Sequence, residues 1–252
     1  MRCPRVAQPL HPVDDMRTLI FIMFLIFSNF GFAETHQFYE FRSQISITKE
    51  VFDRWDLNLF TSENANLASQ NYGGAEPPTN IQNYFLAGPT YKYSQNLNFV
   101  FFGYIYQRTN SIFDNFVNEN RLFQQVVYGM DSSLGRITHR VRFEERFIHD
   151  VASEQKFMGT RLRYQIGLLI PLQGSELNNG EFYLNMYNEF YFTTTGVRAT
   201  LYNENWTYAG IGYQTAQYGR VEVGPLIQRV VVDKHHDIRY FNLLQLSWSY
   251  NF

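Results

Sequence analysis

Arg140, Arg142, Glu144 and Arg146 occupy alternate positions of the stretch RITHRVRFEERF, residues 136–147. Guanidinium groups two residues apart can do three things: neutralise carboxylates, grip a phosphate or carboxylate in a bidentate fork, or tune the acid/base chemistry of a nearby group. The same two-residue spacing recurs with Arg161, Arg163 and Gln165, and the same parity relates Asn185 to Glu189 and Glu222 to Gln228. Other candidate chemistry is thin. His235 and His236 sit between carboxylates in DKHHD, but neighbours in an extended loop point apart and cannot easily share one ion. His139 has no serine partner at fixed spacing, and no GxSxG, HExxH, P-loop or dinucleotide fingerprint is present. No catalytic residue, metal site or cofactor is expected.

Alternation at every second residue is the signature of a strand whose two faces meet different surroundings. In residues 136–147, Ile137, Val141, Phe143 and Phe147 share a face with His139 and Glu145, and the arginines take the other. Leu162, Tyr164, Ile166 and Leu168 oppose Arg161, Arg163 and Gln165 in the next segment. Phe182, Leu184, Met186, Phe190 and Phe192 oppose Tyr183, Asn185, Tyr187, Glu189 and Tyr191, and Val221, Val223 and Ile227 oppose Glu222 and Gln228. If the apolar faces meet hydrocarbon, the arginines must point into a lumen, since a charge at mid-depth on the lipid side costs about 2 to 4 kcal/mol. A polar network of Arg140, Arg142, Glu144, Arg146, Arg161, Arg163, Gln165, Asn185, Glu189, Glu222 and Gln228 is therefore expected to plug the barrel. A site for an anionic head group or lipid phosphate, and general acid/base chemistry, remain open beside it.

Composition agrees with a lipid-exposed sheet. Aromatic residues reach 18% while charged residues are 17%, and there is only one long apolar run, RTLIFIMFLIFSNFGFAET. A basic start at Arg17, a short apolar core and small residues at Gly31 and Ala33 read as a secretory signal cut after Ala33. Met16 is an alternative start. The expected organisation is a leader over 1–33 and a barrel over 34–252. Loss of the leader moves the formal charge from −2 to −3, which offers no basic field for nucleic acid. The only cysteine, Cys3, falls in the leader, so no disulfide framework is expected.

Turn residues divide the rest into eleven segments, near 38–47, 51–62, 81–93, 96–108, 120–130, 135–148, 156–171, 181–194, 204–214, 218–232 and 238–252. These lengths suit tilted membrane strands, and the connections alternate short and long as in outer-membrane barrels. The fold class is all-β, an antiparallel transmembrane barrel of 10 to 12 strands. The evenness usual in such barrels favours ten or twelve, with 38–47 outside the wall or a strand hidden in a loop. The stretch 62–80 reads as an outer loop. Trp55, Tyr91, Tyr93, Tyr104, Tyr106, Trp206, Tyr208, Tyr213, Trp248 and Tyr250 are placed at membrane interfaces.

The motifs HRVRFEERF, RLRYQIGLLIPL, YNEFYF, WTYAGIGYQ and VEVGPLIQ, in that order, resemble the Gram-negative outer-membrane barrels catalogued as domain of unknown function 2490. The resemblance spans about residues 50–252 and implies an outer-membrane barrel without an assigned activity. It departs at ENWTYAG, where the resemblance leads one to expect an Asn-Arg or Gln-Arg pair before the aromatic. Separately, Leu246, Trp248, Tyr250 and Phe252 look like the terminal signature read by barrel-assembly machinery. The implied setting is the outer membrane of a Gram-negative bacterium, with membrane lipid and lipopolysaccharide as neighbours. A lipid A or phospholipid-modifying enzyme and a narrow diffusion channel are the competing functions.

Overall fold

The computed structural model describes residues 35–69, 79–110, 116–196, 201–231 and 238–252. The expected leader, the His235–His236 pair and part of the 62–80 stretch lie outside the described residues. Eleven strands follow one another: β1 (Thr35–Phe52), β2 (Trp55–Ser69), β3 (Asn80–Lys92), β4 (Leu97–Asn110), β5 (Phe116–Ser132), β6 (Gly135–Asp150), β7 (Gln155–Pro171), β8 (Glu181–Thr195), β9 (Tyr202–Gln214), β10 (Arg220–Val231) and β11 (Ile238–Asn251). Each pairs antiparallel with the next, and β1 closes the barrel on β11.

That closure is parallel, in a register running from Thr35 opposite Ile238 to Thr48 opposite Asn251. The even count expected from the sequence therefore gives way to eleven strands among the described residues. An odd number of up-and-down strands leaves the first and last pointing the same way, and a parallel ladder is the only pairing that can close it. Residues 38–47 belong to the wall, in β1. The second strand also runs further than its hydropathy suggests, because Ser62 and Asn64 continue the inward row of β2 and are buried there. The first hairpin turns at Asp53-Arg54, with Arg54 at φ 64°.

The two faces separate as the alternation requires. Phe143, Leu162, Ile166, Val221, Val223, Leu244 and Leu246 are on the outside and more than a third exposed, while Arg142, Glu144, Arg161 and Arg163 are buried inside. The core of this protein is thus the lumen itself. Two apolar clusters share it with the charges: Val100, Ile105 and Phe123, and Tyr208, Leu226 and Leu243. Trp206 packs with the second cluster, so it and Tyr208 are lumen residues and not interfacial ones; the inward phase of β9 takes them there. Outer aromatics pair near both ends of the barrel: at one end Tyr202 meets Phe192 with ring centroids 5.9 Å apart. At the end holding Phe252, Trp55 meets Tyr91 at 5.1 Å, Phe182 meets Tyr213 at 4.8 Å, and Tyr250 meets Phe252 at 4.6 Å between ring centroids.

Two irregularities shape the filling. The β4 ladder skips between Val100 and Gly103, and the bulge turns both Phe101 and Phe102 outward. Gly103 then faces the Phe123 ring across the strand pair, where an added Cβ would stand 2.2 Å from Phe123 Cε1. Tyr183 lies over Gly212 in the same way. A bare backbone at these positions lets a ring lie flat against the wall and narrow the lumen. Gly103→Val is expected to lower unfolding stability by about 1 to 3 kcal/mol through overpacking. The check is denaturant unfolding of the refolded barrel, and Phe123→Leu in the same chain should restore part of the loss.

Candidate functional site

Strands β6, β7 and β8 carry the densest charge. Their register sets Arg142 opposite Arg163 and Glu144 opposite Arg161, with Tyr191 on the far side of Arg163. Direct cross-strand pairing would leave two like charges face to face, so neutralisation also runs along the diagonals. Arg163 donates from Nη1 to Glu144 Oε1 at 2.8 Å and grips Glu189 through Nε and Nη2, both at 2.9 Å. Arg161 donates twice to Glu144 Oε2, at 3.0 and 2.6 Å. Arg140 reaches Glu189 at 2.7 Å.

Glu144 is the centre of this arrangement, with no exposed surface and Arg121 and Arg142 each 3.8 Å from its carboxylate. A neighbouring group forms on β5. Glu119 accepts from Arg121 at 2.6 and 2.9 Å and from Arg146, whose Nη2 contact is 3.0 Å. Aromatic faces cover the guanidinium planes: Tyr191 lies 4.9 Å from Arg161 and 4.5 Å from Arg163, and Phe123 lies 4.5 Å from Arg142. Forked hydrogen bonds and ring contacts of this kind offset the several kcal/mol per ion that burial costs.

The structure thus brings Arg140, Arg142, Glu144, Arg146, Arg161, Arg163 and Glu189 together. Gln165 stands in register between Arg140 and Glu189, and Gln228 is buried on β10, three strands round the wall from β7. Both line a cavity of about 660 Å³ that runs through the middle of the lumen. Asn185 and Glu222 sit apart from the arginine group the sequence assigned them to. They line a smaller cavity of about 170 Å³ with Arg220, and Asn185 donates to the Glu222 carboxylate at 3.0 and 3.2 Å. Glu222 lies near the β9–β10 turn, opposite Gly212 and Ser247, several residues along its strand from the charged belt.

Leu246, Trp248, Tyr250 and Phe252 share the outer face of β11; the Trp248 indole donates to Tyr218 O at 2.6 Å. His139, also outside, has its Nδ1 2.8 Å from the Tyr164 hydroxyl. Among the described residues no group of three His, Cys, Asp or Glu side chains could hold a metal ion.

Several functional candidates escaped the sequence reading. Glu119, Arg121, Glu204, Glu40 and Arg42 all face the cavity. Their signal was present: FYEFRSQ alternates Glu40, Arg42 and Gln44 with Tyr39, Phe41 and Ser43, and NENRLFQQ sets Glu119 and Arg121 two apart.

The fold and its lumen define a closed β-barrel with a charge-packed interior. Over residues 36–239 the chain matches the family described as protein of unknown function (DUF2490), and it belongs to that family. No curated protein matches it.

Removing the Glu144 carboxylate strands the surrounding arginines without a counter-charge. Glu144→Gln is expected to cost about 3 to 5 kcal/mol of unfolding free energy, the range for breaking a buried pair. Glu222→Gln, which keeps a hydrogen-bond acceptor for Asn185, should cost about 1 kcal/mol. Denaturant midpoints of the two variants, measured side by side, check the difference.

Proposed function

We propose that this protein is an outer-membrane β-barrel whose lumen is closed to ion flow, an integral membrane protein that holds its contents instead of conducting them. The outward apolar rows support a lipid setting: Phe143, Leu162, Ile166, Val221 and Val223 sit on the outer face where a water-exposed surface would carry charge. Aromatic pairs near the two ends of the strands match the belts that amphipathic rings form at bilayer interfaces. The observation that carries the closed-lumen reading is the completely buried Glu144, bound inside the lumen by Arg161 and Arg163 of the neighbouring strand and overlaid by Arg121 and Arg142. A water-filled pore would leave that carboxylate wet.

A diffusion channel would need those forks opened. A lipid-modifying enzyme would need a histidine joined to both a carboxylate and a nucleophile; among the described residues His139 meets the Tyr164 hydroxyl and His149 meets Glu154 at 3.3 Å, and neither pair has a serine in its hydrogen bonds. The Leu246, Trp248, Tyr250 and Phe252 row is proposed as the surface that barrel-assembly machinery reads, since it stands outward along one strand and ends in contacting rings, Trp248 stacked on Tyr250 and Tyr250 edge-on to Phe252.

Two measurements test the reading. Native protein should stay in the outer-membrane fraction through high-salt extraction and migrate differently on gels before and after boiling; release by salt alone would overturn the membrane setting. Purified protein in a planar bilayer should show no steady conductance, and the double variant Arg161→Ala, Arg163→Ala should introduce one. Steady conductance by the unaltered protein sinks the closed lumen.

A further inference from the structure

The ion pairs described above do not balance. Eight arginines and four glutamates line the larger cavity among the described residues, and Glu144, sealed behind them, adds a fifth carboxylate. Three positive charges are left over in a lumen where Arg42, Arg142, Arg161 and Arg163 are each buried. An uncompensated charge in such a place is costly enough that proteins rarely leave one without a partner.

The surplus is localised. Arg42 is only 5% exposed, yet its one hydrogen bond goes to the neutral Ser62 hydroxyl at 3.2 Å. Its Nε and Nη1 have no hydrogen-bond partner, and its other support is the Trp206 ring 5.0 Å away. Arg142 is held by the neutral Gln125 amide oxygen, at 2.9 and 2.7 Å, and only distantly by Glu144. Arg140 shares Glu189 with Arg163, and its Nε is also unpartnered. Every nearby carboxylate oxygen of Glu144 and Glu189 is already committed to another arginine.

We propose that the central cavity is a binding site for a phosphate monoester, with Arg42, Arg140 and Arg142 supplying the donors. This rests on the closed-lumen reading, because a conducting lumen would fill with salt. Planar guanidinium forks match phosphate oxygens two at a time, and free N–H groups on a buried arginine are what such a ligand would occupy. A phosphate monoester carries close to two negative charges at neutral pH, against one for a carboxylate, so it cancels more of the surplus. The volume suits a small ligand, since such sites typically run from about 300 to 1,000 Å³. Trp206, Tyr187 and Phe241 beside the arginines offer an apolar wall for whatever the phosphate is attached to.

The phosphate could belong to a lipid head group or to a soluble molecule, and the two are separable by experiment. Full-length barrel refolded in detergent is titrated with inorganic phosphate in one arm and with phosphatidic acid in mixed micelles in the other, against phosphatidylcholine as the neutral control. The thermal unfolding midpoint should rise with phosphate or with phosphatidic acid. A response to inorganic phosphate assigns a soluble monoester; a response to phosphatidic acid alone assigns a lipid head group. The rise should strengthen above about pH 6, where the second phosphate proton leaves. Arg42→Gln and Arg142→Gln should each weaken binding about tenfold or more, the value of losing a charge-assisted hydrogen bond. Arg42→Gln should also raise the midpoint of the phosphate-free protein, because it deletes a buried charge that no carboxylate holds by a hydrogen bond or close ion pair; a merely structural Arg42 would lower it. Arg220→Gln, in the smaller cavity, should leave the phosphate response intact. If neither probe moves the midpoint of a barrel that still resists salt extraction and still fails to conduct, the phosphate site is overturned and the closed-barrel reading survives. If the unaltered protein conducts, the failure lies in that reading instead.

Discussion

The structure depends on one electrostatic constraint: a charge buried inside this barrel must find its counter-charge on its own or a nearby strand, because burial removes the water that would otherwise screen it. Glu144 satisfies Arg161 and Arg163 together, Glu189 satisfies Arg163 and Arg140, and Glu119 satisfies Arg121 and Arg146. Each carboxylate thus bridges two arginines from different strands or from different positions of one strand. The network ties β5, β6, β7 and β8 into a single electrostatic unit in addition to their backbone ladders. Shared carboxylates also make the balance incomplete, and the shortfall falls on Arg42 and Arg142, the two whose nearest acceptors are neutral.

Closure of the wall is the second requirement, since an open edge would present unpaired N–H and C=O groups along a whole strand. Eleven strands meet it with the parallel β1–β11 ladder, which places Thr35 and Asn251 at opposite ends of the barrel. The lumen is then narrowed by rings laid on bare backbone, Phe123 on Gly103 and Tyr183 on Gly212. Charged belt and apolar clusters meet at their rings: Phe123 of the first cluster lies against Arg142 and Trp206, packed on the second, lies against Arg42, while Leu226 sees Tyr208 and Leu243.

Much of this was legible in the chain. Inward and outward rows of β6, β7, β8 and β10 could be read residue by residue, because a side chain's face in a strand is set by parity alone. Strand ends were legible within a few residues wherever Gly, Asn or Ser clusters stop the alternation, as at QGSELNNG. The reading failed where parity slips or where polar residues continue a strand. Asn64 and Ser62 look like loop yet complete β2, and Trp206 and Tyr208 look interfacial yet point inward.

Sequence by itself determined the class of the fold, its charged interior row and its apolar exterior row, since each follows from local alternation at period two. Tertiary structure alone decided which strands become neighbours, and with that the parallel seam, the eleven-strand count, the bulge at Phe101 and the separation of Glu222 from the arginines. Those outcomes depend on register between segments far apart in the chain, and no local pattern carries register across such distances. It also decided that Arg42 stands without a carboxylate partner, because surplus charge is a property of a whole cavity and belongs to no single strand.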